Sequence, residues 1–286
     1  MPGDGDRHTV SGSPPSMTLQ LSWDQAGSGE PLLLLHGIGS TYDDFTALRP
    51  QLDADYRVLA PDLPGHGRSP ALSGRPTVSA IADAIVADLD AMDVGQVHVL
   101  GNSIGARIAL ELAARGRTRS VVAISPSGLN APAERLYQGV LMSSNRLLLR
   151  RARRFLPVLA RTTLGRTALL AGLRAAPWRS SETEARALHE GFAQADAFWA
   201  MLWWGIMTDI PTGLDRIDCP VLLAQGTADL VALGQTPRYL ATVAGARFVP
   251  LVGAGHAPLS DAPRAILTVV RRATAAAQAT QLPVSA

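Results

Sequence analysis

A serine with a glycine two residues to either side, Gly101-Asn102-Ser103-Ile104-Gly105, is the first place in this sequence where residue type and spacing point to chemistry. It follows a short apolar run (Val97, Val99, Leu100) and precedes a helical pattern of Ala106, Ala109, Leu110 and Ala113. A residue forced between strand and helix takes up a strained backbone, so the positions two away must lack bulk. Gly101 and Gly105 meet that demand and leave the Ser103 hydroxyl raised at the strand end, where a nucleophile belongs. The N–H of Ile104 opens the helix and points at whatever Ser103 attacks. A purely structural glycine-rich turn would share this spacing, so the companions of Ser103 decide between the two.

Three companions are present. His256 lies in Gly253-Ala254-Gly255-His256-Ala257-Pro258, just past the last apolar run, with glycines that let its loop reach inward. Asp229 lies in Gln225-Gly226-Thr227-Ala228-Asp229, just past the run before it. His36-Gly37-Ile38-Gly39 ends an earlier run, and its small residues would let backbone N–H groups approach a developing oxyanion. A hydroxyl, an imidazole and a carboxylate gathered at strand ends are the parts of nucleophilic catalysis. The other histidines are placed less well. His8 is in the N-terminal tail, His66 in a surface turn, His98 inside a buried strand and His189 on a helix, while His36 is suited to shaping its own loop. Asp215 and Asp218 precede their strand, at the wrong end of the sheet, and Pro126-Ser127-Gly128-Leu129-Asn130 carries no carboxylate.

The elements that must position these residues alternate. Strands are expected over Thr18–Trp23 (an edge), Leu32–Leu35, Tyr56–Ala60, Val97–Leu100, Ser120–Ser125, Val221–Gln225 and Ala246–Leu251. Helices are expected over Asp43–Leu52, Ser79–Met92, the stretch after Ser103, and Pro263–Ala276. The apolar runs are continuous, as in strands buried on both faces. This predicts an α/β fold, a mostly parallel doubly wound sheet whose ligands sit at the C-terminal strand ends. Residues 127–213 break the alternation with helical patterns at Glu134–Arg154, Leu156–Thr163, Arg166–Ala175 and Glu182–Met207. They read as an all-helical cap inserted into a core of residues 17–126 and 214–276, with tails at 1–16 and 277–286. The cap holds eleven arginines against six acids, which puts it at +5 and the rest of the chain at −3.

Composition narrows the chemistry. All 26 basic residues are arginine, which excludes Schiff-base catalysis and the lysine of a phosphate-binding loop. The net charge of +2 gives no reason to expect a nucleic-acid partner. Cys219 is the single cysteine, so no intrachain disulfide forms and a reducing cytoplasm is expected. The N-terminus does not read as a secretory signal, and no stretch reaches the roughly 18 apolar residues of a membrane span, so no membrane partner is expected. No His, Cys and Glu cluster has metal-ligand spacing, and Tyr42 stands where a dinucleotide fingerprint needs its third glycine. Neither metal nor cofactor is expected.

The motifs HGIGS at 36–40, DLPGHGRS at 62–69, GNSIGA at 101–106, GTADLV at 226–231 and GAGHAPL at 253–259 resemble those of the α/β-hydrolase superfamily, in the single-chain branch with a helical cap. They span nearly all of the core, in the family order of serine, acid, histidine. The resemblance implies that Ser103 attacks an acyl carbonyl, that His256 takes and returns the proton, and that Asp229 orients the imidazole. It implies an oxyanion hole from the N–H groups of Ile38 and Ile104, and a loop-shaping role for Asp62. A serine at the nucleophile position disfavours the dehalogenase and epoxide hydrolase branches, which carry an aspartate there.

The expected activity is a serine hydrolase, carboxylesterase-like, cleaving an ester or related acyl bond of a small apolar molecule. Alternatives are carbon–carbon bond hydrolysis, which Asn102 before the serine also accompanies, and thioester cleavage on carrier-bound acyl groups. A non-catalytic binding protein on the same fold is the remaining reading. In family members the underside of the last cap helix walls the pocket, so the stripe Trp199, Trp203 and Met207 is a candidate wall, with Leu230 and Leu259 beside the acid and base. The run Arg150, Arg151, Arg153 and Arg154 could be a solvated helix end or a docking site for an acyl carrier protein or CoA phosphate.

Overall fold

The computed structural model describes residues 19–281, so the tail expected over 1–16 lies outside the described residues. Seven strands form one sheet: β1 (Trp23–Ala26), β2 (Pro31–Leu35), β3 (Arg57–Pro61), β4 (Val97–Asn102), β5 (Thr118–Ile124), β6 (Val221–Gly226) and β7 (Arg247–Leu251). Their order is β1-β3-β2-β4-β5-β6-β7; β1 is antiparallel to β3 and every other pairing is parallel. The core helices are α1 (Arg49–Asp55), α2 (Val78–Ala91) and α3 (Ile104–Ala114). The cap contributes α4 (Pro132–Ala152), α5 (Leu156–Arg161), α6 (Thr163–Leu170), α7 (Glu182–Gln194) and α8 (Phe198–Ala200), the last running into a π-helix at Met201–Met207. The core resumes with α9 (Gln235–Thr242) and α10 (Pro263–Gln281).

The strand residues divide by the period of two that a pleated strand imposes. Leu33, Leu35, Val97, Val99, Val121, Ala123 and Leu223 pack with Ile81, Ile85 and Leu89 of α2 and with Ile108 and Leu112 of α3. Leu32, Leu34, Leu100, Val122, Ile124 and Leu222 face the opposite layer, with Leu52 of α1 and Ile266, Val270 and Ala273 of α10. Each such leucine, fully withdrawn from water, contributes about 1.5–3 kcal/mol. This is the expected doubly wound α/β sheet, with its strand ends pointing at the inserted helices.

The helix expected over Arg166–Ala175 is shifted to Thr163–Leu170, and four other boundaries differ from expectation for a tertiary reason. The edge strand begins at Trp23, because the N–H of Leu21 donates to Asp88 Oδ2 (2.9 Å) and that of Ser22 to Ser69 Oγ (2.8 Å), away from the ladder. The helix expected at 43–52 is a 3-10 turn over Tyr42–Phe45 followed by α1, which starts afresh with Pro50 in its first turn. The helix expected over 182–207 breaks between α7 and α8, where Ala197 N–H donates to Gly65 O (3.2 Å) and the Arg146 guanidinium binds the carbonyls of Phe192 and Ala195. At the C-terminus α10 continues to Gln281, past the tail boundary expected at 277, with Gln278 Nε2 donating to Glu30 Oε2 (2.8 Å).

Candidate active site

Ser103 sits between β4 and α3 with φ 57° and ψ −116°, a conformation that side chains rarely adopt and that costs on the order of 1–3 kcal/mol. The flanking glycines are required by close approach rather than by φ. A Cβ on Gly101 would lie 2.4 Å from Gly105 O, and one on Gly105 would lie 2.1 Å from Leu35 O. The Ser103 N–H is anchored on Ile124 O at 2.9 Å, so β4 and β5 together hold the turn.

Asp229 follows β6 in a tight turn closed by its own N–H on Gly226 O (3.1 Å). Its Oδ1 accepts from the N–H groups of Val231 (2.8 Å) and Ala232 (3.0 Å). His256 Nδ1 lies 3.1 Å from Oδ1 and 3.0 Å from Oδ2. Burial works to raise the Asp229 pKa. The charge and hydrogen bond of His256, with Ser125 and the Ala232 N–H, outweigh it and hold the carboxyl well below the usual carboxylate range. The carboxylate is therefore ionised at neutral pH and fixes Nδ1 as the protonated nitrogen, leaving Nε2 as the base. The loop that carries His256 is held from two sides. Gly255 N–H donates to Asp261 Oδ2 (2.9 Å), and Ala257 N–H donates to Leu173 O of the cap (2.8 Å).

Ser103 and His256 line one cavity of about 160 Å³, together with Gly37 and Ile38. They form no mutual hydrogen bond in this arrangement, a contact that in free enzymes often tightens only with substrate. Among the described residues neither Ile38 N–H nor Ile104 N–H donates to a protein acceptor, and Ile104 opens α3 beside the serine. His36 pins the loop of Ile38. Its Nδ1 donates to Gly37 O (2.8 Å) and its Nε2 accepts from Leu63 N–H (2.8 Å), while burial pushes its pKa down to about 4. His66, expected in a surface turn, is buried, with its ring 5.5 Å from that of His36 and its pKa pushed by burial to about 3. Asp62 accepts from Tyr42 N–H (3.0 Å) and Arg68 N–H (2.9 Å), so it ties two loops together.

A sequence model of the alpha/beta hydrolase family matches residues 32–269. The chain belongs to the alpha/beta hydrolase family. A pimeloyl-[acyl-carrier protein] methyl ester esterase of Neisseria meningitidis is 31% identical over 253 residues, 83% of this chain and 90% of that protein. The dihydrolipoyllysine-residue acetyltransferase component of the acetoin cleaving system of Pseudomonas putida is 34% identical over 131 residues, 44% of this chain. That match spans 35% of the acetyltransferase component, about a third of its length. A thermophilic esterase from Thermogutta terrifontis superposes with a TM-score of 0.69 at 22% identity, over 89% of this chain and 92% of that one.

The cavity of this alpha/beta hydrolase is walled by other cap residues than expected. Trp199 and Trp203 are 41% and 56% exposed and lie with Met207 in an outer groove beside Leu136, Val140 and Leu147. Leu259 is buried in the layer against α10 and does not reach the cavity, whereas Leu230 stands on its rim. The inner wall comes from Leu141, Met142 and Leu149 of α4 and from Leu188, His189 and Phe192 of α7. The reason is the break before α8. The π-helix turns Met201, Leu202 and Ile206 onto the core and hands Gly205 O to the buried Arg107 guanidinium (2.6 Å), which also pairs with Asp209 (3.1 Å). A stripe at helical spacing, Met142, Asn145 and Leu149, was the available signal for the true wall.

Proposed function

We propose that this hydrolase cleaves an ester of a small, largely apolar acyl group through a covalent acyl-enzyme formed on Ser103. The observation that carries the reading is the His256 imidazole seated on both Asp229 oxygens at 3.0–3.1 Å, on the cavity where the strained Ser103 turn presents its hydroxyl. Ser103 Oγ attacks the carbonyl carbon and passes its proton to His256 Nε2. The oxyanion is held by the N–H groups of Ile104 and Ile38. Collapse breaks the ester C–O bond, and the leaving alkoxide takes the proton from His256. Water then attacks the acyl-enzyme with His256 as base, releasing the acid and regenerating Ser103, while Asp229 stays ionised throughout. One oxyanion donor is worth about 3–4 kcal/mol in the transition state, comparable to a large share of the base's contribution. A cavity of about 160 Å³ is close to the volume that holds a benzene-sized guest, which favours short or compact acyl groups.

A fluorophosphonate probe run beside p-nitrophenyl esters of graded chain length tests the proposal. Labelling of the wild type on Ser103, abolished together with esterase activity in Ser103→Ala, is the expected result; a label on the Ser103→Ala variant sinks it.

Carrier-bound acyl groups are the second reading. Arg150, Arg153 and Arg154 line an outer groove beside Trp199, partly offset by Glu190 and Asp196, and the Neisseria relative is named for an acyl-carrier-linked methyl ester. Reversing the charge of Arg150, Arg151, Arg153 and Arg154 should raise KM for carrier-bound acyl esters alone. An equal rise for a small neutral ester removes the docking role.

A further inference from the structure

The backbone on either side of His256 is held by groups from outside its own loop. Gly255 N–H donates to Asp261 Oδ2 (2.9 Å), and Ala257 N–H donates to Leu173 O of the cap (2.8 Å). The same Asp261 Oδ2 also accepts from Ala175 N–H of the cap (2.9 Å). One carboxylate oxygen is therefore shared by the loop that carries the base and by the cap segment that crosses it. The crossing is a backbone contact. A Cβ on Gly255 would lie 2.5 Å from Leu173 O and 2.8 Å from Arg174 Cα. Residues 173–175 and 255–257 thus meet without a side chain between them, and a single acceptor satisfies one N–H from each.

Asp261 is itself fixed. It stands two residues before α10, whose Ile266, Val270 and Ala273 pack on the sheet, and the turn that leads into the helix is closed by Ala262 N–H on Pro258 O (2.9 Å). The neighbouring Ser260 makes a separate link to the cap. Its hydroxyl donates to Glu184 Oε1 (2.6 Å) and accepts from Arg174 Nη2 (3.1 Å). Of these two links, the one through Asp261 also grips the His256 loop. Beyond the crossing, Ala171, Gly172 and Leu173 line the cavity, as do His256 and Ala257. A shift of this cap segment is therefore passed to the imidazole through Asp261 and Leu173 O.

We propose that Asp261 is a positioning residue for the reaction, tying cap residues 173–175 to the His256 loop so that one carboxylate sets both the pocket wall and the base. Asp261 stands outside the cavity lining and acts through His256. This rests on the Ser103 acyl-enzyme reading and adds to it a residue that the Ser103, His256 and Asp229 chemistry does not name.

Asp261→Ala, Asp261→Asn and Ser260→Ala test it side by side. Two readouts are taken: kcat for a p-nitrophenyl ester, and the downfield proton resonance of His256 Nδ1–H, which reports its seat on Asp229 without turnover. Asp261→Ala should lower kcat by about 10–100-fold and broaden that resonance, since misplacing a catalytic group by about 1 Å can cost a hundredfold. Asp261→Asn, whose amide oxygen accepts from the same two N–H groups, should keep the resonance and stay within about threefold. Ser260→Ala cuts the neighbouring cap link, so it should lower the melting temperature yet leave the resonance intact and kcat within about twofold. A merely structural role would make the serine and aspartate variants alike. An Asp261→Ala rate within about twofold of wild type overturns the proposal, and so does an equal loss in Ser260→Ala. Should alanine not fold, asparagine decides: a lost resonance, or a drop in kcat of about tenfold or more, overturns it. Expected resonance changes in a protein whose Ser103 takes no label would support the link and count against the reaction.

Discussion

His256, seated on Asp229, and Leu149 both border the same cavity. The aspartate is fixed by backbone N–H groups from Val231 and Ala232 and by His256, all within six residues of two strand ends. The leucine is the eighteenth residue of α4, a cap helix whose own Arg146 guanidinium ties that end to the carbonyls of Phe192 and Ala195. The strand-end side is a lattice of short-range constraints, with strained or close-approach backbone at Ser103, Gly101 and Gly105. The cap side is side-chain packing, joined to the core through long-range links at Arg107, the Ala197 N–H and Leu173 O. Geometry of reaction is set by the first, and the shape offered to substrate by the second.

The largest effect should come from the strand-end side. Ser103→Ala or His256→Ala should lower kcat for a p-nitrophenyl ester by about 10⁴–10⁶-fold with little change in melting temperature, and Asp229→Asn by about 10⁴-fold. A variant retaining a tenth of the activity would place the reaction elsewhere. Next are the links between the two sides. Arg107→Met leaves Gly205 O unpaired and Asp209 with only the Val78 N–H, and should destabilise the fold by about 3 kcal/mol, read from urea denaturation. A change below about 1 kcal/mol would mean that the cap does not depend on this link.

Acid should weaken both sides alike. His36, His66 and His189 are buried with pKa values lowered to about 4, 3 and 4. Each binds its proton more readily unfolded, near 6.5, so its contribution is present above that value and lost as pH falls toward the folded pKa. Between pH 7 and 5 the loss should be about 2 kcal/mol per histidine. Equal denaturation midpoints at the two pH values would contradict the buried neutral state. The smallest effects separate inner from outer cap residues. Phe192→Ala or Leu149→Ala should shift chain-length preference by about 10-fold in kcat/KM, whereas Trp203→Ala should stay within about twofold. A Trp203→Ala effect as large as that of Phe192→Ala would put the outer groove on the substrate path.

The sheet, its crossover connections and the meeting of Ser103, Asp229 and His256 were legible because each rests on local pattern. A buried strand is a run of apolar residues, a sharp turn needs small neighbours, and a parallel sheet brings all its strand ends to one side. Leu230 on the rim followed from its place beside Asp229. The stripe of Trp199, Trp203 and Met207 misled because period four identifies a helix face but not which way it points. Residues 42–55 show the same limit on a smaller scale, since Thr46 closing the 3-10 turn and Pro50 opening α1 divide a pattern that looks continuous.

The sequence by itself determined the fold and the chemical parts of the site, since strand ends, turn glycines and the order of serine, acid and histidine are properties of short segments. Only the tertiary structure decided the cavity. Arg146 ends α7 with a guanidinium carried on α4, Gly65 receives Ala197 from across the chain, and Arg107 draws in the π-helix carbonyl of Gly205. Those contacts join residues 46 to 132 positions apart in sequence. They rotate the last cap segment outward and leave α4 and α7 to wall the cavity beside Ser103.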